Sequence, residues 1–536
     1  MIPYDIIPSN QGEPTIRIPT RRGRLFSLRE LRLFACFMAV TAVAKGLALL
    51  PKYSIDDYYL LQIQPRVRIM IQQGRFGQAL LVGLLRALRL DPGYCYVFFV
   101  VVAIATWALL ALAVVRWWGL KRRGWLPIAA GCLIAVHPFT TEIFTFRTAL
   151  GTSTLALTLF SLLLLPRRWP PRQIVAGTAL FALTLSIYQV VLHFALMILL
   201  LGGACGIARY LAIGAKLGWS RRWAGLCTWD RIRRHRQTAL ATCIALGTGV
   251  YFLASRAVLA FSGFPAIART QFLPVAGVGK RLAEVETLLQ ARLLLPDPLL
   301  SPLAQQLSLL LLVMAVGGLL ARKAAWGPRR SALLTWAAVG LIAAGLIWSV
   351  GLILVLEEFW PVARVMSHIG VFWAGVLAVA WLVSGRWRRA VLAGAATLVI
   401  LSFIGSDNRI LDDQQRLNQR DAMTANRIVA RLESLPRFRE IETVAVKGGS
   451  WRFPQRIATA DHDMNISAFG AEWSKVQLLN EISGYRWKWG PDELLAMPGK
   501  AETRLAEEYC RDVEPWPGPQ SVAIQDRLAI VCLGPG

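Results

Sequence analysis

Long apolar runs separated by short polar connections make up most of the chain as far as residue 405. A helix that crosses a bilayer needs about 20 mostly apolar residues, because lipid cannot hydrogen-bond a bare backbone. The pattern predicts eleven transmembrane helices, at residues 31–50, 94–118, 125–138, 149–165, 173–188, 190–212, 238–260, 303–321, 332–356, 362–384 and 390–405. The first 30 residues are polar and basic and lack a short apolar core with a cleavage site, so we interpret the first run as a retained helix.

Composition and charge support this membrane interpretation. The 536 residues are 55% hydrophobic and 17% charged, whereas soluble domains are about 45–50% apolar and about 25% charged. Residues 1–405 contain 42 Lys and Arg against 13 Asp and Glu, a net charge of +29, and residues 406–536 contain 17 against 19, a net charge of −2. Every second connection is basic, which predicts a cytoplasmic N-terminus and a tail on the opposite side of the membrane. Positive charge confined to short loops also argues against nucleic acid as a partner.

The polar tail differs in character from the rest of the chain. We predict a cytoplasmic N-terminal segment at 1–30, a polytopic α-helical membrane domain at 31–405 and a small α/β domain at 406–536, with a helix at 411–435 and strands at 443–446 and 521–531. Cys510 and Cys532 are the only two cysteines of the tail and form a candidate disulfide if that domain lies in an oxidising space. The His residues are scattered and no Cys-x-x-Cys occurs, so no metal centre is expected.

Two of the predicted outer connections, 51–93 and 261–302, are long. Phe76 to Leu90 is apolar but spans only 15 residues, which predicts a helix lying in the membrane interface. Residues 281–295 alternate charged residues with leucines, which predicts a second amphipathic helix. Long outer loops that carry interfacial helices are typical places for binding and catalysis.

Asp56 and Asp57 follow the first predicted membrane helix and are the first candidate for chemistry. One of them could act as a base or ligate a cation beside the lipid surface. Alternatively, the pair forms a solvated helix N-cap, which Asp favours through the positive end of the helix dipole. Two adjacent carboxylates could hold a divalent cation, but no feature of the sequence requires one, so no cofactor is predicted.

Gly74 and Arg75 form the second candidate, because Gly permits a tight turn and the planar guanidinium of Arg suits a phosphate group. The alternative is an interfacial Arg that reaches the lipid headgroups. A third candidate set consists of charges at predicted outer helix ends: Glu142, Arg147, Glu357, Glu358 and Arg364. Ionisable groups near the membrane indicate function by default, although a helix-end ion pair could serve only to fix orientation. Together, carboxylates and arginines beside interfacial helices favour a lipid-phosphate substrate.

The order of these motifs resembles the membrane glucosyltransferases of the Gtr type II family, which include serotype-converting enzymes that modify O-antigen. The similarity lies in Asp56-Asp57-Tyr58-Tyr59, in Gln73-Gly74-Arg75-Phe76, in the segment from His137 to Arg147, and in Ser186-Ile187-Tyr188-Gln189. It covers the layout of residues 30–405 and not the tail. That family is similar to the wider GT-C class, which takes a sugar from a polyprenyl-phosphate carrier and uses an acidic residue of the first outer loop.

The resemblance implies a bacterial inner-membrane enzyme that transfers a sugar, glucose in that family, to a surface glycan on the periplasmic face. Asp56 or Asp57 would be catalytic, and Arg75, Arg147 and Arg364 would bind the donor phosphate. Tyr58, Gly74, Glu142, Gln189, Glu357 and Glu358 are the further candidates for substrate binding. The partners implied are the polyprenyl-phosphate sugar donor, a glycan acceptor and the bilayer.

Two other functions remain open at this level. A transporter or flippase of a lipid-linked glycan would place polar residues near the midplane of broken helices and often shows internal repeats. The predicted helix centres are nearly free of charge and the halves show no clear repeat. A non-catalytic scaffold is the other alternative, in which aromatic residues of the tail (Trp451, Trp473, Trp487, Trp489 and Trp516) stack on glycan or fill the domain core.

Overall fold

The computed structural model describes residues 26–62, 67–90, 93–120, 124–166, 169–214, 223–265, 267, 271–323, 328–449, 457–488 and 500–534. The helices are α1 (Leu28–Lys45), α2 (Ile55–Gln62), α3 (Val67–Gln72), α4 (Phe76–Ala87), α5 (Tyr96–Trp117), α6 (Leu126–Ala135), α7 (Thr141–Thr145), α8 (Arg147–Leu164), α9 (Pro171–Ile187), α10 (Val190–Gly214), α11 (Trp223–Ser262), α12 (Val278–Leu293), α13 (Pro302–Lys323), α14 (Pro328–Trp348), α15 (Ile369–Val383), α16 (Arg386–Glu433), α17 (Glu472–Ser483) and α18 (Lys500–Asp512). The strands are β1 (Thr443–Lys447), β2 (Val522–Gln525) and β3 (Leu528–Cys532).

The helices define a multi-pass membrane protein. Within the described ranges, seven helices are long and apolar enough to cross a bilayer: α1, α5, α8, α10, α11, α13 and α16. An eighth span results if α6 and the short helical segment Pro138–Thr145, which meet at a 42° bend, are counted as one broken helix. Each of the eleven predicted runs contains a helix, but α9, α15 and the apolar part of α14 have only 15 to 17 residues. Eleven crossings therefore remain a prediction.

The predicted run at 362–384 begins well before its helix. The run at 362–384 was expected to be helical throughout, yet α15 begins at Ile369 and residues 361–368 form turns. These turns place the backbone N–H and the guanidinium of Arg364 against Glu142. Polar contacts thus replace the first helical turns of this run.

Burial separates the central helices from the peripheral ones. About 67% of the apolar window of α5 is buried within the protein, against 11% for α11. Trp107 and Trp118, on and just after α5, are fully enclosed. On α4, Leu80, Leu84 and Leu88 recur at helical spacing and are 55–77% exposed, as expected for a helix whose apolar face meets lipid. The predicted interfacial helices are both confirmed as helices, α4 and α12.

The helix α16 joins the membrane domain to the tail without a break. Its 48 residues are continuous, so the helix predicted at 411–435 is confirmed as helical up to Glu433 but is part of a longer helix that runs across position 405/406, where the domain boundary was predicted. Nothing between Ser406 and Glu433 interrupts helical backbone bonding, because the segment contains neither Pro nor Gly. At about 1.5 Å per residue the helix is roughly 72 Å long.

The tail carries a three-stranded sheet in the order β1–β3–β2. β1 pairs parallel with β3, and β2 pairs antiparallel with it. The single strand expected at 521–531 is instead a hairpin, whose turn places Asp526 in the left-handed region at φ 52°. The predicted disulfide is confirmed: Cys510 of α18 is bonded to Cys532 at the end of β3.

The connection that follows α1 contacts both the helix α16 and the core of the tail. Lys52 is fully buried and donates to the Leu411 carbonyl of α16 at 2.6 Å, and burial lowers the pKa of this amine to about 7. The backbone N–H of Tyr53 donates to the Asn418 side chain, which donates back to the Tyr53 carbonyl. Tyr58 of α2 is buried in the hydrophobic core of the tail. The loop is therefore anchored immediately before and after Asp56.

Candidate active site at the junction of membrane helices and tail

Asp57 serves as a structural cap. Its Oδ2 accepts hydrogen bonds from the backbone N–H and hydroxyl of Ser54 at 2.8 Å and from the backbone N–H of Arg147 at 3.1 Å. Its Oδ1 accepts from the backbone N–H and hydroxyl of Thr148 at 3.0 and 2.9 Å. One carboxylate thus accepts hydrogen bonds from N–H groups at the start of its own helix α2 and of α8. Its negative charge interacts favourably with the positive end of each helix dipole. The capping interpretation of the Asp pair therefore holds for Asp57, except that this carboxylate is buried and not solvated.

Asp56 has a different environment. It is half-buried, and its Oδ1 accepts one hydrogen bond, from the indole Nε1 of Trp473 at 3.2 Å. Burial raises the pKa of Asp56 to about 6; the negative charges of Asp463 and Asp57 add to the rise, and Arg364 and the Trp473 bond oppose it. A carboxylate with a pKa near 6 is deprotonated at neutral pH and basic enough to take a proton from a polarised hydroxyl.

Arg364 connects the membrane helices with the tail beside Asp56. Its Nη1 and backbone N–H donate to the carboxylate of Glu142, and its Nη2 donates to Asp463 of the tail at 2.7 Å. The guanidinium lies over the Phe146 ring, 4.5 Å from its centroid. The two acidic partners raise the pKa of Arg364 against the effect of burial, so it stays charged. The predicted helix-end charges Glu142 and Arg364 are thus brought together.

Asp463 lies in a tight turn of the tail. Asp461 and Met464 exchange backbone hydrogen bonds across this turn. Arg292 of α12 fixes the turn from the membrane side, since its Nη2 donates to Asp461 and its Nη1 donates to Asp297, both at 2.8 Å. On the other side, Asp413 of α16 accepts a hydrogen bond from the hydroxyl of Thr459 at 2.8 Å. We call Asp461–Met464 the acidic turn.

A second cluster surrounds Arg75. Its Nε donates to the Gln189 side-chain oxygen at 3.1 Å, and the Gln189 amide donates to the Gln73 carbonyl and to the Tyr251 hydroxyl. Gly74 adopts φ +72°, and a Cβ there would lie 2.6 Å from that hydroxyl. The predicted trio of Gly74, Arg75 and Gln189 is therefore assembled, with Tyr251 as an addition.

The Tyr188 hydroxyl is within electrostatic range of both clusters, since the positive charges of Arg364 and Arg75 and the negative charge of Glu142 all act on it. The two arginines belong to loops more than 280 positions apart. An anion placed beside Tyr188 would experience both positive charges together with the negative charge of Glu142.

The remaining predicted residues lie outside these contacts. The Arg147 guanidinium stacks on the rings of Tyr53 and Tyr96, with centroids at 4.5 and 5.1 Å. Tyr58 packs in the tail core, as noted above. Glu357 is exposed, and its backbone carbonyl accepts a hydrogen bond from Arg281 Nη2 at 3.0 Å. Glu358 is half-buried in the same loop.

Sequence reasoning did not select several residues that complete the site: Arg292, Asp461, Asp463 and Trp360, whose indole Nε1 donates to Asp463 at 3.4 Å. Asp461-His462-Asp463 is a short acidic motif that could have drawn attention, but its local pattern resembles an ordinary polar turn. Among the tail tryptophans, Trp487 fills the core whereas Trp473 is 40% exposed. Trp451 and Trp489 lie outside the described residues.

Comparison of the chain with models of protein families, with curated proteins and with solved structures finds no match.

Proposed function

We propose that the chain is a membrane glycosyltransferase that moves a sugar from a polyprenyl-phosphate carrier to a glycan acceptor. The observation that carries this proposal is Asp56, a half-buried carboxylate with a pKa of about 6 on which the positive charge of Arg364 acts. In the sequence resemblance, too, an acidic residue of the first outer loop is catalytic, and the sugar of that family is glucose.

In the reaction, Asp56 accepts the proton of an acceptor hydroxyl as its oxygen attacks the anomeric carbon of the donor sugar. The bond between that carbon and the carrier phosphate breaks, and the electron pair leaves with the polyprenyl phosphate. Arg75 and Arg364, which both act on Tyr188, would stabilise the departing phosphate charge beside that hydroxyl. Asp57 holds Asp56 in place by capping two helices.

The proposed topology places this site on the periplasmic face of a bacterial inner membrane. It keeps the eleven predicted crossings, a cytoplasmic N-terminus and a periplasmic tail. Support comes from the alternating basic loops and from the Cys510–Cys532 disulfide, since such bonds persist in oxidising compartments. The exposed leucines of α4 give a lipid-linked donor an apolar surface near the Gly74–Arg75 turn.

Two measurements test the proposal. The surface glycan of cells with and without the protein should differ by one hexose branch, detected by mass spectrometry. Purified protein in lipid nanodiscs should transfer sugar from a polyprenyl-phosphate hexose, and Asp56→Asn should reduce kcat by at least about 100-fold, the lower range for loss of a general base. Glu286→Gln is the matched control, because Glu286 is an exposed carboxylate on the outer helix α12. Transfer at the wild-type rate by Asp56→Asn would contradict the mechanism.

One observation favours a second candidate, a flippase for a lipid-linked glycan. Lys45 of α1 donates to Asp407 of α16 at 2.9 Å and to Thr141 at 2.6 Å, and all three side chains are fully buried. Buried ion pairs between membrane helices occur in transport pathways, although this one lies near helix ends. Liposome-reconstituted protein that moves a fluorescent lipid-linked sugar across the bilayer without forming a glycosidic product would favour this candidate.

A further inference from the structure

Trp473 is a large aromatic side chain left partly in solvent beside the proposed base. It lies in the first turn of α17 and is 40% exposed, whereas Trp487 of the same domain is 7% exposed. Its indole Nε1 is 3.2 Å from Oδ1 of Asp56. The packing of α17 against α2 fixes this arrangement, because Tyr58 of α2 is buried in the core to which α17 contributes.

The position of the indole limits what can approach Asp56. A hydroxyl that gives its proton to this carboxylate must come within about 2.6–3.2 Å of it. The indole nitrogen already contacts Oδ1 of the carboxylate, so a ring whose hydroxyl reaches Oδ2 from the tail side lies next to the indole. A pyranose has an apolar face of C–H groups, which complements the face of an aromatic ring, while its hydroxyls remain at the edge for hydrogen bonding.

The tail and the membrane helices meet Asp56 with different chemistry. The membrane side offers Arg75 and Arg364, whose positive charges both act on the Tyr188 hydroxyl, and such charges suit a phosphate. The tail side offers the partly exposed indole of Trp473 and the carboxylate of Asp463. An indole face and a carboxylate suit a neutral ring with several hydroxyl groups, which they contact by stacking and by accepting hydrogen bonds.

We propose that Trp473 forms an acceptor subsite in which its indole stacks on a pyranose ring of the acceptor glycan and presents one hydroxyl to Asp56. This inference deepens the proposed glycosyl transfer and rests on it for the identity of the base. It gives the tail a defined task, which is to bind the glycan that receives the sugar. The indole has two functions: its face binds the acceptor, and its N–H orients the carboxylate and favours its charged form.

Two substitutions separate these functions. Trp473→Ala removes both, and we expect the KM for the acceptor to rise about tenfold, the upper range for one stacking contact, with the KM for the donor unchanged. Trp473→Phe keeps a ring and removes the N–H, so the acceptor KM should stay within about threefold of wild type. The acidic limb of its pH–rate profile should move to higher pH, because a hydrogen bond that lowers the pKa of Asp56 is lost.

Tyr485→Ala is the matched control. Tyr485 is an aromatic residue of the same domain with 39% exposure, and it contacts Phe438 and Trp487 instead of Asp56. Its removal should leave the KM for the acceptor at the wild-type value. Thermal unfolding of every variant checks that the tail still folds.

A binding experiment without donor distinguishes failure of this inference from failure of the proposed function. The probe is a repeat-unit oligosaccharide released from the surface polysaccharide of the host, and saturation-transfer NMR detects its binding to full-length protein in nanodiscs. Binding that Trp473→Ala abolishes and Tyr485→Ala preserves supports the subsite, even if no sugar transfer is found and the proposed function falls. Absence of binding to wild type, or an unchanged acceptor KM in an active Trp473→Ala variant, overturns the subsite and leaves the proposed transfer standing.

Discussion

Replacing Asp57 by Asn should damage the fold at two helix starts, because the carboxylate accepts five hydrogen bonds there. The hydroxyls of Ser54 and Thr148 can rotate to new partners, but the backbone N–H groups of Ser54, Arg147 and Thr148 cannot. An amide has one acceptor oxygen, so at least one buried N–H faces the new NH₂ group. An unsatisfied buried donor costs about 1–3 kcal/mol, and loss of charge on the remaining bonds adds about 1 kcal/mol. The local cost is therefore about 2–4 kcal/mol.

Hydrogen exchange measured by mass spectrometry tests this magnitude. For peptides that cover the starts of α2 and α8, the protection factor against exchange should fall by between about 30-fold and about 1000-fold. This range follows from the local cost at 1.36 kcal/mol per factor of ten. Asp56→Asn is the companion variant, since among the described residues Asp56 accepts a hydrogen bond from the Trp473 indole and none from a helix-start N–H group. It should leave protection of these peptides unchanged and abolish sugar transfer. Wild-type protection in Asp57→Asn, combined with transfer by Asp56→Asn, would reverse the roles assigned to the two carboxylates.

Three further predictions concern other parts of the molecule. With Asp56 as the base, kcat/KM should rise with pH through about 6 and then level off, because the carboxylate must lose its proton to act; a flat profile across that range would exclude it. Gly74→Ala should lose about 1–3 kcal/mol of stability in thermal unfolding, because φ is +72° and the new Cβ meets a hydroxyl at 2.6 Å, whereas Gly83→Ala, with open space around it, should behave as wild type. Cys510→Ser combined with Cys532→Ser should lower the unfolding free energy of the tail by about 3 kcal/mol, from the 22-residue separation. Denaturant unfolding measures that loss, and an unchanged midpoint with and without reductant would contradict it.

Hydropathy and periodicity were sufficient to predict the long apolar helices and the two amphipathic ones, but not the short helices α2, α3 and α7 or the tail helices α17 and α18. Each apolar run contains a helix, and the amphipathic patterns after Phe76 and around 281–295 correspond to α4 and α12. This information is local, since it depends on neighbours three or four positions away. The same local signals could not show that α16 continues past residue 405, because the change from apolar to polar composition alters the environment of a helix without ending it.

The site depends on contacts that a linear pattern does not encode. Glu142 and Arg364 were each candidates, but their pairing joins positions 222 residues apart. Asp463 comes from a turn whose sequence resembles any polar loop, and it reaches Arg364 only because α16 and Arg292 position that turn. Asp56 and Asp57 were not distinguishable by sequence, since their roles follow from which donors surround each carboxylate.

The unbroken helix α16 also fixes the rotation of the tail about the helix axis relative to the membrane helices. Each residue of an α-helix advances the chain by about 1.5 Å and turns it by about 100°. In the N-terminal half of α16, Asp407 accepts a hydrogen bond from Lys45. In the C-terminal half, Asp413 accepts one from Thr459, in the segment that leads into the acidic turn. One residue added between these two positions would rotate the tail by about 100° around the helix axis and carry Asp463 away from Arg364. The spacing along this single helix therefore sets the rotational alignment of Asp463 and Arg364, the two parts of the candidate site that come from separate parts of the chain.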